Sequence, residues 1–414
     1  MRDLVVTLAI GAGLLLVLRQ PYMGVMLWSW LGYMSPHRLT WGFAYNAPFA
    51  QIVALVTIFS MFMAKEIKKP LWSAEATLLV FFLIWMFITT LFAEYQDLAW
   101  SKWDKVWKIQ LFVLITLMLI DSKERLNMLV WVIVLSLGFY GVKGGIFTVT
   151  AGGGSIVLGP PGSFIATRGH VGTALNMTIP LMRYLQLQSS NKWVRMGLTV
   201  AMVLTCFAVI GTYSRGAFIG LVMVILFLIM KSRRKIVLTV LLAVTMYSVL
   251  SIMPGEWGMR MESVQDYQHD ASAMGRIEAW KATIAFAGEH PIFGGGFDRN
   301  PGGRASHNIF IQVLGDHGYV GLIMFVLLGL MVWMSAGRIR KKVKRKPEMK
   351  WMGDLMAMVQ VCLVGYGSGG FFISLAYFDL TYHLVAFVVI CKVLLAQHEN
   401  DKAGGSLVMG KADV

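Results

Sequence analysis

Apolar runs, separated by short polar or basic stretches, fill almost the whole chain. A helix crosses a bilayer in roughly 20 residues. Runs of about that length predict spans near 46–64, 73–93, 107–120, 127–147, 170–187, 193–210, 213–230, 235–253, 307–333, 351–374 and 379–396. Region 3–34 is also apolar, but Arg19-Gln20-Pro21 interrupts it, and a proline among polar groups breaks helical hydrogen bonding. It reads either as two spans or as one span with an interfacial piece. The pattern predicts an all-α polytopic membrane protein of about twelve transmembrane helices. Helices occupy 1–253, a large polar loop with short helices 254–306, further helices 307–396, and a polar tail 397–414.

The stretch Pro254–Ser306 is the one long hydrophilic excursion. A loop of about fifty residues inside a helical bundle is more often functional than a plain connector.

Composition agrees with the pattern. Hydrophobic residues make up 57% of the 414 and charged residues 14%, against about 25% charged in an average soluble domain. A soluble protein is excluded. The formal net charge of +15 resembles a nucleic-acid signal until its distribution is read. Basic clusters fall in short loops at Lys65–Lys69, Ser122–Arg125, Lys231–Lys235 and Arg338–Lys346. This is the positive-inside pattern of cytoplasmic loops, so no nucleic-acid partner is expected. Held inside, these clusters place 94–106, 148–169, Gly211–Gly216, 254–306 and the turn near Tyr377–Asp379 outside. With an inside N-terminus, 3–34 makes one net crossing. Cys206, Cys362 and Cys391 lie in apolar spans and predict no disulfide framework. The N-terminal apolar run lacks an A-x-A cleavage signature and reads as a retained membrane segment.

This topology puts Arg215, Arg260, Arg276, Lys281, Arg299 and Arg304 on the outer side. Long loops escape the positive-inside rule, but the short Gly211–Gly216 turn does not. A permanent cation such as Arg215 at the membrane edge is costly without a partner. From Leu126 to Gly255 there is no Asp or Glu, while Lys143, Arg168 and Arg215 lie at or near the outer face. An anionic ligand is the simplest neutraliser, and phosphate matches the guanidinium fork. The other reading is snorkelling toward lipid head groups. The same acid-free stretch argues against a proton- or cation-coupled transporter, which carries intramembrane carboxylates as relays.

Within the loop, Glu262, Asp266 and Asp270 share one helical face and read as a solvated face rather than a metal site, so no metal is expected. The segment GRIEAWKATIAFAGEH predicts a short amphipathic helix with Ile277, Trp280, Ile284 and Phe286 apolar, ended by Pro291. Gly294–Gly296 form a turn and, with Gly302–Gly303, can hinge the loop as a lid. His290 and His317 read as structural. His307, beside Asn308 where loop meets span, has two readings. A neutral imidazole there can take a proton from a hydroxyl, or the residue caps the helix at the interface.

Three segments in order, GTYSRGAF, GRIEAW with HPIFGGGFD, and SHNIFIQVLGDHGYVGLIMF, resemble the O-antigen ligase/polymerase family of bacterial inner membranes. The resemblance is greatest to its O-antigen ligases, including the exosortase-associated O-glycosylation ligases. It covers about Gly211 to Phe325 by motif. The family's arginine of the S-R-G turn falls on Arg215, the arginine of the G-R-x-x-x-W segment on Arg276, and the histidine of the H-N segment on His307. The resemblance implies a helical membrane (GT-C type) glycosyltransferase facing the periplasm, inverting and independent of metal or other cofactor. It implies an undecaprenyl diphosphate-linked O-antigen donor, a lipid A–core acceptor and surrounding membrane lipids. His307 would be the general base, with Arg215 and Arg276 on the diphosphate. His170 stands where relatives often carry asparagine, which leaves its role open; Arg168, His170 and Lys143 are ligand-channel candidates only. Rival readings are an O-antigen polymerase, a protein O-oligosaccharyltransferase and, without bond chemistry, a polysaccharide flippase.

Overall fold

The computed structural model describes residues 1–64, 72–152, 156–231, 271–299 and 305–409. The cluster Lys65–Lys69, the span 235–253, and Arg260, Glu262, Asp266, Asp270, Gly302, Gly303 and Arg304 lie outside the described residues. Among the described residues every regular element is helical. In order these are α1 (Arg2–Arg19), α2 (Tyr22–Met34), α3 (Phe49–Met63), α4 (Ala74–Leu91), α5 (Gln96–Leu119), α6 (Lys123–Thr150) and α7 (Arg168–Gln188). There follow α8 (Lys192–Ile210), α9 (Arg215–Lys231), α10 (Ala271–Glu289), α11 (Ile309–Val343), α12 (Lys350–Gly370) and α13 (Asp379–Met409).

Local chemistry sets several of the starts. Ser73, Ser122, Thr167, Asn191 and Asn308 each accept a hydrogen bond from a backbone N–H in the first turn of the helix that follows. Such N-caps satisfy donors that the helix leaves unpaired. Ala74–Leu91, Lys123–Thr150, Lys192–Ile210, Ile309–Val343 and Asp379–Asp401 are long and apolar enough to cross a membrane. Large apolar side chains such as Leu8, Phe59, Phe81, Leu135, Ile323 and Leu330 are exposed on the outside of the bundle, the surface expected to meet lipid. The chain is a multi-pass membrane protein.

α13 is the central helix. In its apolar window 78% of residues are buried inside the protein, against 28% for α8. The helix also continues beyond the expected boundary of a polar tail at 397. Residues 397–409 are helical, and Glu399 pairs with Lys346 at 2.8 Å and with Lys342 at 3.7 Å.

The N-terminal region departs from one net crossing. α1 and α2 fold back on each other at Gln20-Pro21: Leu27 packs against Gly13, and Asp3 Oδ1 accepts from the backbone N–H groups of Gly42 and Ala44. Pro21 cannot donate and starts α2, so the polar break becomes a reversal. The N-terminus therefore lies at the same end as the segment that follows α2, while Tyr22 sits under Arg125 at the opposite, basic end.

The expected outer loop 94–106 is instead the first half of α5. Its alternation of polar residues with buried Ala99 and Val106 lowers the average hydropathy, and the helix continues without a break. α11 is also not one uniform span. Its backbone is non-helical at Gly318 (φ 66°, ψ −171°), so a short helical piece precedes the long one.

Small residues allow close helix packing, as is usual where lipid supplies no hydrophobic drive between helices. On α6, Gly141 meets Thr205 of α8, and a Cβ on Gly145 would lie 2.1 Å from the Leu204 carbonyl oxygen. Gly145→Val is expected to destabilise the protein by about 1–3 kcal/mol through overpacking. A thermal melt in detergent checks this, and an unchanged midpoint would show that α6 and α8 do not need this contact.

Candidate active site

The site is built around the turn 371–378, between α12 and α13. Helices α7, α9 and α11 all begin at this end of the bundle, and α12 ends there. α9 and α11 then run away from it toward the basic residues Lys231 and Arg340–Lys342.

His307 directly precedes the Asn308 cap. The Asn308 side chain accepts from the N–H groups of Phe310 and Ile311 at 2.8 and 3.2 Å, so the capping role belongs to Asn308. His307 has φ 46°, a left-handed backbone that a non-glycine residue adopts only when its surroundings hold it there. The holding contacts are at hand. His307 N–H donates to Ser374 Oγ at 2.9 Å, and the neighbouring Ser306 hydroxyl lies 3.3 Å from the same Oγ. The Trp280 indole N–H donates to the Ser306 carbonyl. His307 is exposed to solvent, yet the surrounding protein still desolvates it and lowers its pKa, and the Arg276 charge lowers it further. The imidazole is thereby kept neutral near pH 7, against an ordinary value of about 6.5.

Arg276 comes from the expected amphipathic helix, which forms as α10 and stops at Glu289, two residues before Pro291. It stands one turn before Trp280, on the same helix face. The Trp280 ring meets Phe371 edge-on, with centroids 6.0 Å apart. Arg215 starts α9 from the far side of the same turn: a Cβ on the adjacent Gly216 would lie 2.4 Å from Phe372 Cβ. Arg215 and His307 thus flank the three residues Phe372–Ser374, and Arg276 reaches His307 electrostatically.

Adjoining His307 through Ser374 is a cavity of about 220 Å³ lined by Lys102, Lys105, His170, Gln312, Ser374 and Tyr377 among others. His170 Nδ1 lies 3.0 Å from the Phe164 carbonyl oxygen. Arg168, at the first position of α7, is exposed beside the cavity lining. Lys143 is placed elsewhere. It is exposed on α6 with Nζ 5.9 Å from the Phe139 ring centre, and no residue of α6 lines the cavity.

The glycine run makes a turn, with Gly294 at φ 64° and Gly296 at φ 82°. It is not placed to act as a free hinge. Gly295 N–H donates to Gly315 O and Gly296 N–H to Asp316 O, both at 2.9 Å, while Tyr319 N–H donates to Pro291 O at 2.8 Å. The run is clasped into the α11 kink, where a Cβ on Gly318 would lie 2.2 Å from the Ile292 carbonyl oxygen. Arg299 pairs with Glu94, and Lys102 with Asp298 at 3.5 Å, closing the same segment onto α5. His317 is buried in this clasp, Nδ1 2.7 Å from Thr89 Oγ1 and edge-on to Phe297.

Sequence reasoning missed Lys102, Lys105, Gln312, Ser374 and Tyr377. The lysines sat in a stretch read as loop, although their i, i+3 spacing already put them on one helix face. Ser374 has no signal at the sequence level.

Two family models match the chain. Residues 1–190 match a family of unknown function (DUF5935), and residues 200–326 match the O-antigen ligase family. Residues 200–326 belong to the O-antigen ligase family. This O-antigen ligase segment contains Arg215, Arg276 and His307. The cavity wall with Lys102, Lys105 and His170 comes from the first family's stretch. No curated protein matches the chain.

Proposed function

We propose that the protein is an O-antigen ligase. It transfers polysaccharide from undecaprenyl diphosphate to a sugar hydroxyl of lipid A–core, at the periplasmic face of the bacterial inner membrane. The observation that supports this reading is that the three separate elements carrying Arg215, Arg276 and His307 converge on one turn, where Gly216 packs on Phe372, Trp280 on Phe371 and the His307 N–H on Ser374.

In this reading Arg215 and Arg276 hold the diphosphate and stabilise its charge as the glycosidic bond breaks. His307, neutral at working pH, takes the proton of the acceptor hydroxyl as its oxygen attacks the anomeric carbon. One bond forms to the acceptor oxygen, and one breaks to the diphosphate oxygen. The electron pair and negative charge leave with the undecaprenyl diphosphate, and the linkage inverts. No step calls for a cofactor. The surrounding helices, in a GT-C-type arrangement, shelter the polyprenyl tail.

Purified protein reconstituted with the lipid-linked donor and one of three acceptors tests this. Lipid A–core is expected to become glycosylated, while a growing glycan and a pilin are not. Product on the glycan would identify a polymerase, and product on the pilin a protein glycosylase. No covalent product with any acceptor would point to transport.

A further inference from the structure

We infer that the cavity beside His307 is a subsite for an anionic group, phosphate or carboxylate, on the acceptor sugar, and that residues 1–190 supply its recognising wall. The assignment to the acceptor rests on the ligase reading. The anion subsite itself stands on the geometry.

Three observations carry it. The first is charge. Lys102 and Lys105 line the cavity, and no carboxylate does. Lys102 is partly compensated by Asp298 at 3.5 Å, whereas Lys105 has no ion-pair partner among the described residues. Arg38 adds a third cation at the rim, its guanidinium carbon 3.6 Å from where a Cβ on the lining residue Gly162 would sit. Gln312 Oε1 is occupied by the Ala376 N–H at 3.1 Å, which leaves the Nε2 donors of a lining side chain for a ligand. Two lysines and a free amide donor, with no carboxylate in the lining, suit an anion.

The second is size. A volume of about 220 Å³ falls below the roughly 300–1,000 Å³ of pockets for drug-sized ligands. That is room for a single sugar-sized group.

The third is position. Residues Phe371 and Phe372 of the central turn face Trp280 and Gly216, neighbours of the two arginines, whereas Ser374 to Tyr377 line the cavity. His307 is fastened to Ser374, between the two flanks. In an inverting displacement the leaving group and the acceptor occupy opposite sides of the reacting carbon, with the base on the acceptor side. The arginine flank then belongs to the diphosphate and the lysine flank to the acceptor.

The test uses the full chain in nanodiscs with two readouts. Saturation-transfer NMR measures direct binding of glucose 6-phosphate, glucuronate and glucose. Transfer assays measure their competition against lipid A–core and against the lipid-linked donor. One or both anionic sugars are expected to bind and to compete with lipid A–core but not with the donor, and the two arms tell phosphate from carboxylate. Glucose is expected to do neither. Lys105→Ala is expected to raise the acceptor KM about tenfold or more through a lost charge-assisted hydrogen bond, with donor affinity retained and Lys105→Arg restoring the KM. If the wild type binds the anionic sugars but forms no product, the ligase reading fails and the anion subsite stands. Equal binding of all three sugars overturns the subsite, as does competition with the donor or an unchanged acceptor KM in Lys105→Ala.

Discussion

Replacing His307 by alanine is expected to lower kcat for glycan transfer by about 10²–10⁴-fold, the usual worth of a positioned general base. Donor affinity and folding are expected to survive. The backbone conformation complicates the alanine variant, because φ is 46° at this position and alanine tolerates the left-handed region poorly. Asparagine adopts that region more readily and cannot accept the proton, so His307→Asn separates chemistry from folding. Both variants are expected to bind the lipid-linked donor like the wild type while forming almost no product. Complementation of a ligase-deletion strain, read as ladder lipopolysaccharide on a gel, checks this in cells. A normal ladder from His307→Asn would remove His307 as the base.

The second large effect concerns the arginines. Hydrogen bonds to charged groups contribute about 1.5–3 kcal/mol, so Arg215→Ala and Arg276→Ala are each expected to weaken donor binding by roughly 10- to 100-fold. The arginines differ in a second respect. Only Arg276 is placed to lower the His307 pKa by its charge, after desolvation has done so first. His307 is the base when deprotonated, so activity falls on the acid side as pH drops through its lowered pKa. Arg276→Ala removes one of the two causes, and the acid limb of kcat is expected to move to higher pH. Arg276→Lys keeps the charge and is expected to hold the limb near its wild-type position. A pH–rate profile at saturating donor measures this. An acid limb unmoved in Arg276→Ala would mean that Arg276 and His307 do not act on each other.

The separate elements of this site were legible in the chain to different degrees. Period and length exposed the spans, and Pro291 marked the end of α10. The S-R-G turn, the G-R-x-x-x-W segment and the H-N pair named three residues spread over about 90 positions. What joins them was hidden. Ser374 is an ordinary serine in sequence, and only the packing of α9, α10 and α11 against one turn gives it a role. Lys102 and Lys105 were obscured because half of α5 is amphipathic and averages out below the hydropathy of a span. The clasp of Gly294–Gly296 on Gly318 depends on contacts between segments some twenty residues apart, which glycine content alone cannot distinguish from a hinge. The reversal at Gln20-Pro21 likewise needed the contact between Gly13 and Leu27 to separate it from a kink in one span.

The central claim is a single in-line transfer, with the diphosphate on the arginine flank and the acceptor hydroxyl on the flank of His307. The anomeric configuration of the product reports on it most directly. NMR of the new linkage on lipid A–core, compared with the donor's glycosyl diphosphate, is expected to show inversion, as one displacement without a covalent glycosyl-enzyme requires. A retained configuration would contradict the account, because it needs a nucleophile on the protein and two displacements.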